Sequence, residues 1–174
     1  IGRAAFSNCS TLEHVELLEG LETISDSAFN GCIGLRTVEI PSTVSDIGSG
    51  AFSGCKSNTA FTVAESNKSY CSDMWGVLYS KDMETLICYP SMRRWPYYNV
   101  SEKTTQICSN AFSDCVNLVN LYIPKTVSTM NYGCISCCPG MTVCAFIDSA
   151  AYTYAGRNSL TIWPMENFTL QGIQ

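Results

Sequence analysis

The chain repeats the string Ala-Phe-x-x-Cys, and the spacing of its copies constrains the fold more than any other feature. Copies begin at Ala5, Ala28, Ala51 and Ala111, and the first three are 23 residues apart. An aliphatic residue stands four positions before each copy, and a short alternating segment follows it. A unit of this length cannot bury its own apolar side chains, so successive units must stack on one another.

The alternating segments predict the strands of the stack. They lie at 14–17, 37–40, 60–63, 97–100, 120–123 and 143–146. A period of two places alternate side chains on opposite faces of a sheet, and β-branched residues favour strands. The Ala-Phe segments are short and surrounded by Gly and Ser, so we expect a helical turn or a 3₁₀ piece there. The pattern predicts a right-handed α/β solenoid with a parallel sheet of one strand per ~23-residue repeat.

The period breaks once, after the third copy. The strand at 60–63 is followed by the strand at 97–100 after 37 residues instead of 23, so 14 residues are inserted. Residues 76–79 and 85–90 flank a polar turn, which predicts a β-hairpin insert at 70–91 that either projects from the solenoid or extends one of its edges.

Aromatic residues concentrate in and beside this insert. We expect them either to pack the hairpin onto the solenoid or to form a second contact patch. They are Trp75, Tyr79, Tyr89, Trp95 and Tyr98.

The end of the chain has a different pattern. Asp148 and Ser149 precede an Ala-rich run, which predicts a capped helix, and residues 160–163 predict a last strand. We therefore expect a C-terminal helical cap at 148–174 that covers the open end of a single domain, residues 1–174. Its repeats fall near 1–23, 24–46, 47–69, 92–106, 107–129 and 130–147. Because Ile1 falls inside a repeat, we expect the chain to be a fragment of a longer protein.

Residues 35–55 carry a resemblance to a known family. They follow the pattern Leu-x-x-Val-x-Ile-Pro-x-x-Val-x-x-Ile-x-x-x-Ala-Phe-x-x-Cys throughout, which resembles the BspA-type leucine-rich repeats of surface proteins. Leu18, Asn58 and the pair Cys134-Ile135 depart from the pattern, where the family has Pro, Leu and Ala-Phe. The resemblance implies an α/β leucine-rich-repeat solenoid from a cell-surface or secreted protein that binds host or matrix proteins. It supplies no catalytic motif and no cofactor.

The eleven cysteines are explained mainly by the repeat. Those at the recurring position predict a ladder of small buried side chains, because a free cysteine behaves as a small hydrophobe. They are Cys9, Cys32, Cys55, Cys115 and Cys138.

A second group of cysteines has a spacing similar to that of a zinc site. In register, Cys134 takes the Ala position, Cys138 belongs to the ladder and Cys144 takes a core position of the strand. Only Cys137 is unexplained, so a metal site and a local disulfide of Cys137 stay open beside the structural reading. A disulfide between Cys71 and Cys88 stays open as well. We predict no metal site and no cofactor.

Catalytic chemistry has little support. The single histidine, His14, lies on a predicted strand near the first residue, and nothing pairs it with a nucleophile. Glu16 and Glu39 occupy the same position one repeat apart, but a shallow sheet surface offers no pocket to shift the pKa of either carboxyl. We predict that the chain is not an enzyme.

Charge and hydropathy exclude two classes of partner. Ten Lys and Arg against fifteen Asp and Glu give a net charge of −5, without a basic run, so we expect no nucleic-acid partner. No apolar stretch approaches the roughly 20 residues that span a bilayer, so we expect no direct membrane insertion.

Strand alternation predicts which residues face outward. One row comprises His14, Thr37, Ala60, Tyr97, Asn120 and Val143, and the next row comprises Glu16, Glu39, Thr62, Asn99, Tyr122 and Ala145. Solenoids bind partners through such extended faces, and tyrosines are favoured contact residues. The predicted partner-binding residues are Glu16, Thr37, Glu39, Thr62, Tyr97, Asn99, Asn120 and Tyr122.

The sequence therefore predicts a non-catalytic protein-binding or adhesion module of a cell-surface or secreted protein. It would recognise a host or extracellular-matrix protein, or a glycan, through the exposed sheet face. A structural spacer in a larger surface protein is the alternative, and a thiol-dependent enzyme is a third hypothesis.

Overall fold

The computed structural model describes residues 1–166, so residues 167–174 of the predicted cap lie outside the described part. The described residues form fifteen short strands and one helix. In chain order these are β1 (Thr23–Ile24), β2 (Thr37–Ile40), β3 (Asp46–Ile47), β4 (Ala60–Val63), β5 (Tyr70–Ser72), β6 (Leu78–Ser80), β7 (Thr85–Cys88), β8 (Tyr97–Asn99), β9 (Gln106–Ile107), β10 (Phe112–Ser113), β11 (Asn120–Ile123), β12 (Thr129–Met130), β13 (Ile135–Ser136), β14 (Thr142–Phe146), α1 (Ala150–Arg157) and β15 (Thr161–Met165).

The predicted alternating segments form parallel strands along one side of the solenoid, which we call the front face. β2 pairs with β4, and β8, β11, β14 and β15 form a second set of neighbours. In β2, Val38 and Ile40 are buried whereas Thr37 and Glu39 are exposed, as the period of two predicts. The leucine-rich-repeat solenoid with a parallel sheet is therefore confirmed.

Two details of the strand prediction are wrong. Residues 14–17 form no strand, although the Arg36 N–H donates to Glu13 O at 3.2 Å. In the last coil, Asn120 pairs with Thr142, a spacing of 22 residues. This one-residue shift exchanges the two faces, so Val143 and Ala145, predicted to face outward, are fully buried.

The Ala-Phe segments return the chain as turns and short strands, so the expected helical turn or 3₁₀ piece is also wrong. Hydrogen bonds join neighbouring coils directly: the Phe6 N–H donates to Ala28 O at 2.8 Å, and the Phe29 N–H donates to Ala51 O at 2.7 Å. A residue with positive φ stands before and after each return, as at Gly50 (φ 61°) and Gly54 (φ 69°). Left-handed residues on both sides prevent an α-helical turn.

The insert is built into the solenoid and does not project from it. β5, β6 and β7 form an antiparallel meander, and β7 continues as a parallel neighbour of β9. The Tyr89 N–H donates to Ala111 O at 2.8 Å, which is the same bond that Phe29 makes to Ala51. Tyr89 therefore takes the phenylalanine position of a coil, and the insert extends one edge of the solenoid.

The core consists of two clusters that meet at the insert. Leu78 packs in the N-terminal cluster, whereas Val77 and Tyr79 pack in the C-terminal one. Alternation along β6 thus divides its side chains between the two halves of the molecule.

The predicted cap is confirmed over its described residues. The Ser149 side chain accepts a hydrogen bond from the Tyr152 N–H at the start of α1, and Ala151 and Ala155 are buried. β15 then adds a parallel strand to β14. No helix within residues 1–166 is long and apolar enough to cross a membrane.

Candidate functional site

The eight residues predicted to bind a partner all belong to the outward side of the front face. Strand pairing places Glu39 beside Thr62, Tyr97 beside Asn120, and Asn99 beside Tyr122. Asn120 and Tyr122 are half-buried, and the other six are exposed: Glu16, Thr37, Glu39, Thr62, Tyr97 and Asn99. The sequence thus places these side chains on one face, and their binding role stays a prediction.

A loop of the insert divides this face into two halves. Residues 73–77 lie against β4, because the Phe61 N–H donates to Gly76 O at 2.9 Å. Gly76 has a φ of +73°, and a Cβ at this position would stand 2.7 Å from the Ala60 Cβ. Only glycine fits there, and the loop occupies the space between β4 and β8.

The N-terminal half of the front face is acidic. Glu16 and Glu39 are exposed there, and Arg36 forms an ion pair with Glu13 at 3.2 Å between two neighbouring coils. Both partners of this pair are largely exposed, so it contributes little to stability. This half is suited to contacts with polar or basic groups.

The C-terminal half is aromatic. Tyr97 and Trp163 are each 67% exposed, and Tyr122 lies on β11 between their strands. Partial burial raises the pKa of Tyr122, so its phenol stays protonated and can donate a hydrogen bond at neutral pH.

Trp75 and Trp95 form a cleft at the boundary between the halves. Their ring centroids are 5.5 Å apart at an interplanar angle of 65°, and Tyr97, Tyr98 and Asn99 complete the lining. The Arg93 guanidinium lies 5.2 Å from the centre of the Trp75 ring. Among the aromatic residues of the insert region, Tyr79, Tyr89 and Tyr98 are buried, which agrees with packing of the hairpin onto the solenoid. Trp95 is 55% exposed, and a contact patch there stays a prediction.

A buried hydrogen-bond chain holds this cleft in place. Asp73 Oδ1 accepts from the backbone N–H groups of Trp75 at 2.8 Å and Val77 at 2.9 Å. The Tyr98 hydroxyl donates to Asp73 Oδ2 at 2.8 Å, which leaves the Tyr79 hydroxyl to donate to Tyr98 at 2.6 Å. Desolvation raises the pKa of Tyr79 to about 12 and raises that of Tyr98 as well, so both phenols stay neutral.

Sequence reasoning missed Trp163 and the outward residues of β14. Thr142 and Cys144 lie beside Asn120 and Tyr122, and Trp163 follows Cys144 in the next strand. The prediction that Cys144 takes a core position is therefore wrong. The sequence did carry a signal for the shifted register of β14. Leu121 and Val143 are separated by 22 residues, and only a spacing of 22 pairs these two aliphatic residues.

The cysteine ladder is confirmed in the interior of the solenoid. Cys32, Cys55 and Cys115 are buried, and the Cys55 thiol donates to Phe29 O of the preceding coil at 3.2 Å. Burial raises the pKa of Cys55 to about 12. Cys9, in the first coil, is exposed.

Cys137 takes the left-handed position of the repeat. Its φ is +54°, and Gly31 and Gly54 occupy the same position in earlier coils. Cys134 is buried, and desolvation raises its pKa to about 11. Within residues 1–166, no group of three potential ligands is arranged to hold a metal ion.

No cysteine is paired in the structure, and all eleven lie among the described residues. Cys71 on β5 and Cys88 on β7 are separated by β6, so their backbones stand roughly 10 Å apart, at two strand spacings. A disulfide requires Cα atoms within about 7 Å. The Cys71–Cys88 pairing is therefore ruled out in this fold.

The fold and its faces define a leucine-rich-repeat solenoid with an exposed parallel sheet. The sequence model of the family described as BspA type leucine rich repeat region matches this chain in six copies, over residues 1–83 and 88–172. The chain belongs to this family.

Solved structures share the fold at low sequence identity. A leucine-rich repeat protein from Eubacterium ventriosum is 20% identical with a TM-score of 0.72, over 78% of this chain and 36% of that one. A leucine rich cell surface protein from Faecalibacterium prausnitzii is 24% identical with a TM-score of 0.66, over 82% of this chain and 49% of that one. The pneumococcal vaccine antigen PcpA is 22% identical with a TM-score of 0.51, over 71% of this chain and 42% of that one.

The chain thus spans less than half of the length of each of these three solved structures. Among curated proteins, none matches the sequence of this chain.

Proposed function

We propose that the chain is a non-catalytic recognition module of a cell-surface or secreted protein. It binds a host or extracellular-matrix protein, or a glycan, through the front face. Two of the similar structures are described as a cell surface protein and a vaccine antigen, which supports an extracellular location.

The observation that carries this proposal is the contrast between the two sides of each front strand. Inward side chains repeat from coil to coil as apolar ladders, whereas outward ones change from acidic at Glu39 to aromatic at Tyr97. Packing requires the first regularity, but nothing in the fold requires the outward pattern. A large exposed face of varied chemistry is the surface through which repeat proteins recognise partners.

A binding panel tests the proposal. The chain is immobilised and presented with collagen, laminin, fibronectin and a set of glycans, and affinity is measured by surface plasmon resonance. Tyr97→Ala and Tyr122→Ala should each weaken binding of the captured partner by about tenfold, as expected for an aromatic residue at the centre of an interface.

Tyr132→Ala is the matched control, because Tyr132 is 94% exposed and lies between β12 and β13, away from the front face. Its affinity should stay within about twofold of the unchanged chain. An opposite result, with loss at Tyr132 and none at Tyr97 or Tyr122, would place the site elsewhere. A panel without any captured partner would favour the structural spacer.

The thiol-dependent enzyme has weaker support. Burial raises the pKa of Cys115, and it raises that of Cys134 to about 11, so both thiols stay protonated and unreactive at neutral pH. A hydrogen bond from Cys115 lowers the pKa of Cys138, but the Cys138 thiol donates to Phe112 O and Ser136 O. Within residues 1–166, these hydrogen bonds go to backbone carbonyls and not to a side chain that could act as a general base.

A further inference from the structure

We infer that the cleft between Trp75, Trp95 and Tyr97 is a binding site for an uncharged pyranose unit of a glycan. This inference rests on the proposed function, and it names the partner chemistry for one part of the front face. We call the site the aromatic cleft, and its lining is Trp75, Trp95, Tyr97, Tyr98 and Asn99.

The shape of the cleft favours a single small ring. The Trp75 and Trp95 rings meet edge to face at 5.5 Å, and the buried ring of Tyr98 forms the base, with 5% of its surface exposed. Loop 73–77 closes the side toward β4 through the Phe61–Gly76 hydrogen bond. An extended peptide needs a groove that is open at both ends, whereas loop 73–77 closes one side of this cleft.

The chemistry of the lining favours a neutral, hydroxylated ligand. None of the five lining side chains carries a charge at neutral pH. Exposed aromatic faces at Trp95 and Tyr97 can pack against the C–H face of a sugar ring, because the ring face is electron-rich. The exposed Asn99 amide offers both a donor and an acceptor to hydroxyl groups at the edge of that ring.

One carboxylate and one guanidinium lie next to the lining of the cleft. Both carboxylate oxygens of Asp73 accept hydrogen bonds from within the protein, and the Arg93 guanidinium is stacked on Trp75. The five lining side chains themselves offer no cation to an acidic sugar. The same contacts hold the cleft in its open shape before a ligand arrives, which lowers the entropic cost of binding.

The test titrates the whole chain with cellohexaose and mannohexaose, and follows binding by tryptophan fluorescence and calorimetry. Trp95→Ala and Tyr97→Ala should each lower affinity by about tenfold, while Trp95→Phe should recover part of it because it keeps an aromatic ring. Trp163→Ala is the matched control, since Trp163 is 67% exposed on the same face but on β15, three strands from β8. Its affinity should stay within about twofold.

Three further probes separate the alternatives: a sialylated oligosaccharide, a sulfated oligosaccharide and a polyproline peptide. Binding of any of these as tightly as the neutral sugars would overturn the inference, as would an equal loss in Trp163→Ala. Failure of both neutral sugars to bind would also overturn it. The proposed function would still stand if Tyr122→Ala weakened capture of a matrix protein, because Tyr122 lies outside the aromatic cleft.

Discussion

Replacing Tyr98 by phenylalanine should destabilise the chain more than the same change at Tyr79, although both remove one buried hydroxyl. Tyr98 stands in the middle of the hydrogen-bond chain, donating to Asp73 Oδ2 and accepting from Tyr79. Tyr98→Phe loses a bond to a charged acceptor, and such bonds contribute about 1.5–3 kcal/mol. It also removes the acceptor that lies 2.6 Å from the Tyr79 hydroxyl, which is fully buried, at a cost of about 1–3 kcal/mol.

The two contributions overlap, so we expect the free energy of unfolding to fall by about 3 kcal/mol in Tyr98→Phe. Tyr79→Phe removes only a bond between neutral groups and should cost about 1 kcal/mol. The double variant should cost less than the sum of the single ones, because no hydroxyl of Tyr79 is then left unpaired.

Urea unfolding of the four proteins, followed by far-UV circular dichroism, measures these differences, provided that the slope with denaturant is the same in all four. Fluorescence of Trp75 and Trp95 reports whether the cleft loosens in the native state. Equal losses in the two single variants, or strict additivity in the double one, would refute the role assigned to Tyr98.

Two further predictions concern the cysteines. Cys137→Gly should raise the free energy of unfolding by about 1 kcal/mol, because the residue has a φ of +54° that glycine adopts without strain. Gly54→Ala, at the same coil position, should lower the free energy of unfolding by a similar amount. Thermal melts in reductant that rank the two variants the other way would contradict this reasoning. Burial raises the folded-state pKa of Cys55 from 9.0 to about 12, so the unfolded chain loses this proton first. The protonated Cys55 thiol therefore makes its full contribution to the stability of the folded chain below pH 9, and this contribution declines as the pH rises toward 12. Above pH 9, the free energy of unfolding of Cys55→Ala should therefore fall less steeply than that of the unchanged chain, by up to about 1.4 kcal/mol per pH unit. Urea midpoints that fall equally fast in both proteins would argue against a buried neutral thiol.

Most of the fold follows from the local pattern. The 23-residue spacing and the alternation in 37–40 identify the strands and the face that each side chain occupies, because both are set by the chain itself. The cysteine ladder follows by the same reasoning, since residues at one repeat position must stack.

The helical returns were predicted wrongly for a physical reason. Short Ala-Phe segments suit a helical turn locally, but the Phe29 N–H bonds to Ala51 in the next coil. Intercoil hydrogen bonds satisfy the backbone there and override the local preference.

The sequence by itself determined a stacked solenoid, its buried ladders and an exposed front face with Tyr97, Asn99 and Tyr122 upon it. The tertiary structure decided between two registers that the sequence allows for β14, 22 or 23 residues after β11, and the observed spacing of 22 exchanges inside and outside. It also decided where the insert goes. Pairing of β7 with β9 and the contact of Asp73 with Tyr98 join residues distant in the chain. No local period encodes such contacts, yet they bring Trp75 and Trp95 together at the boundary of the two halves.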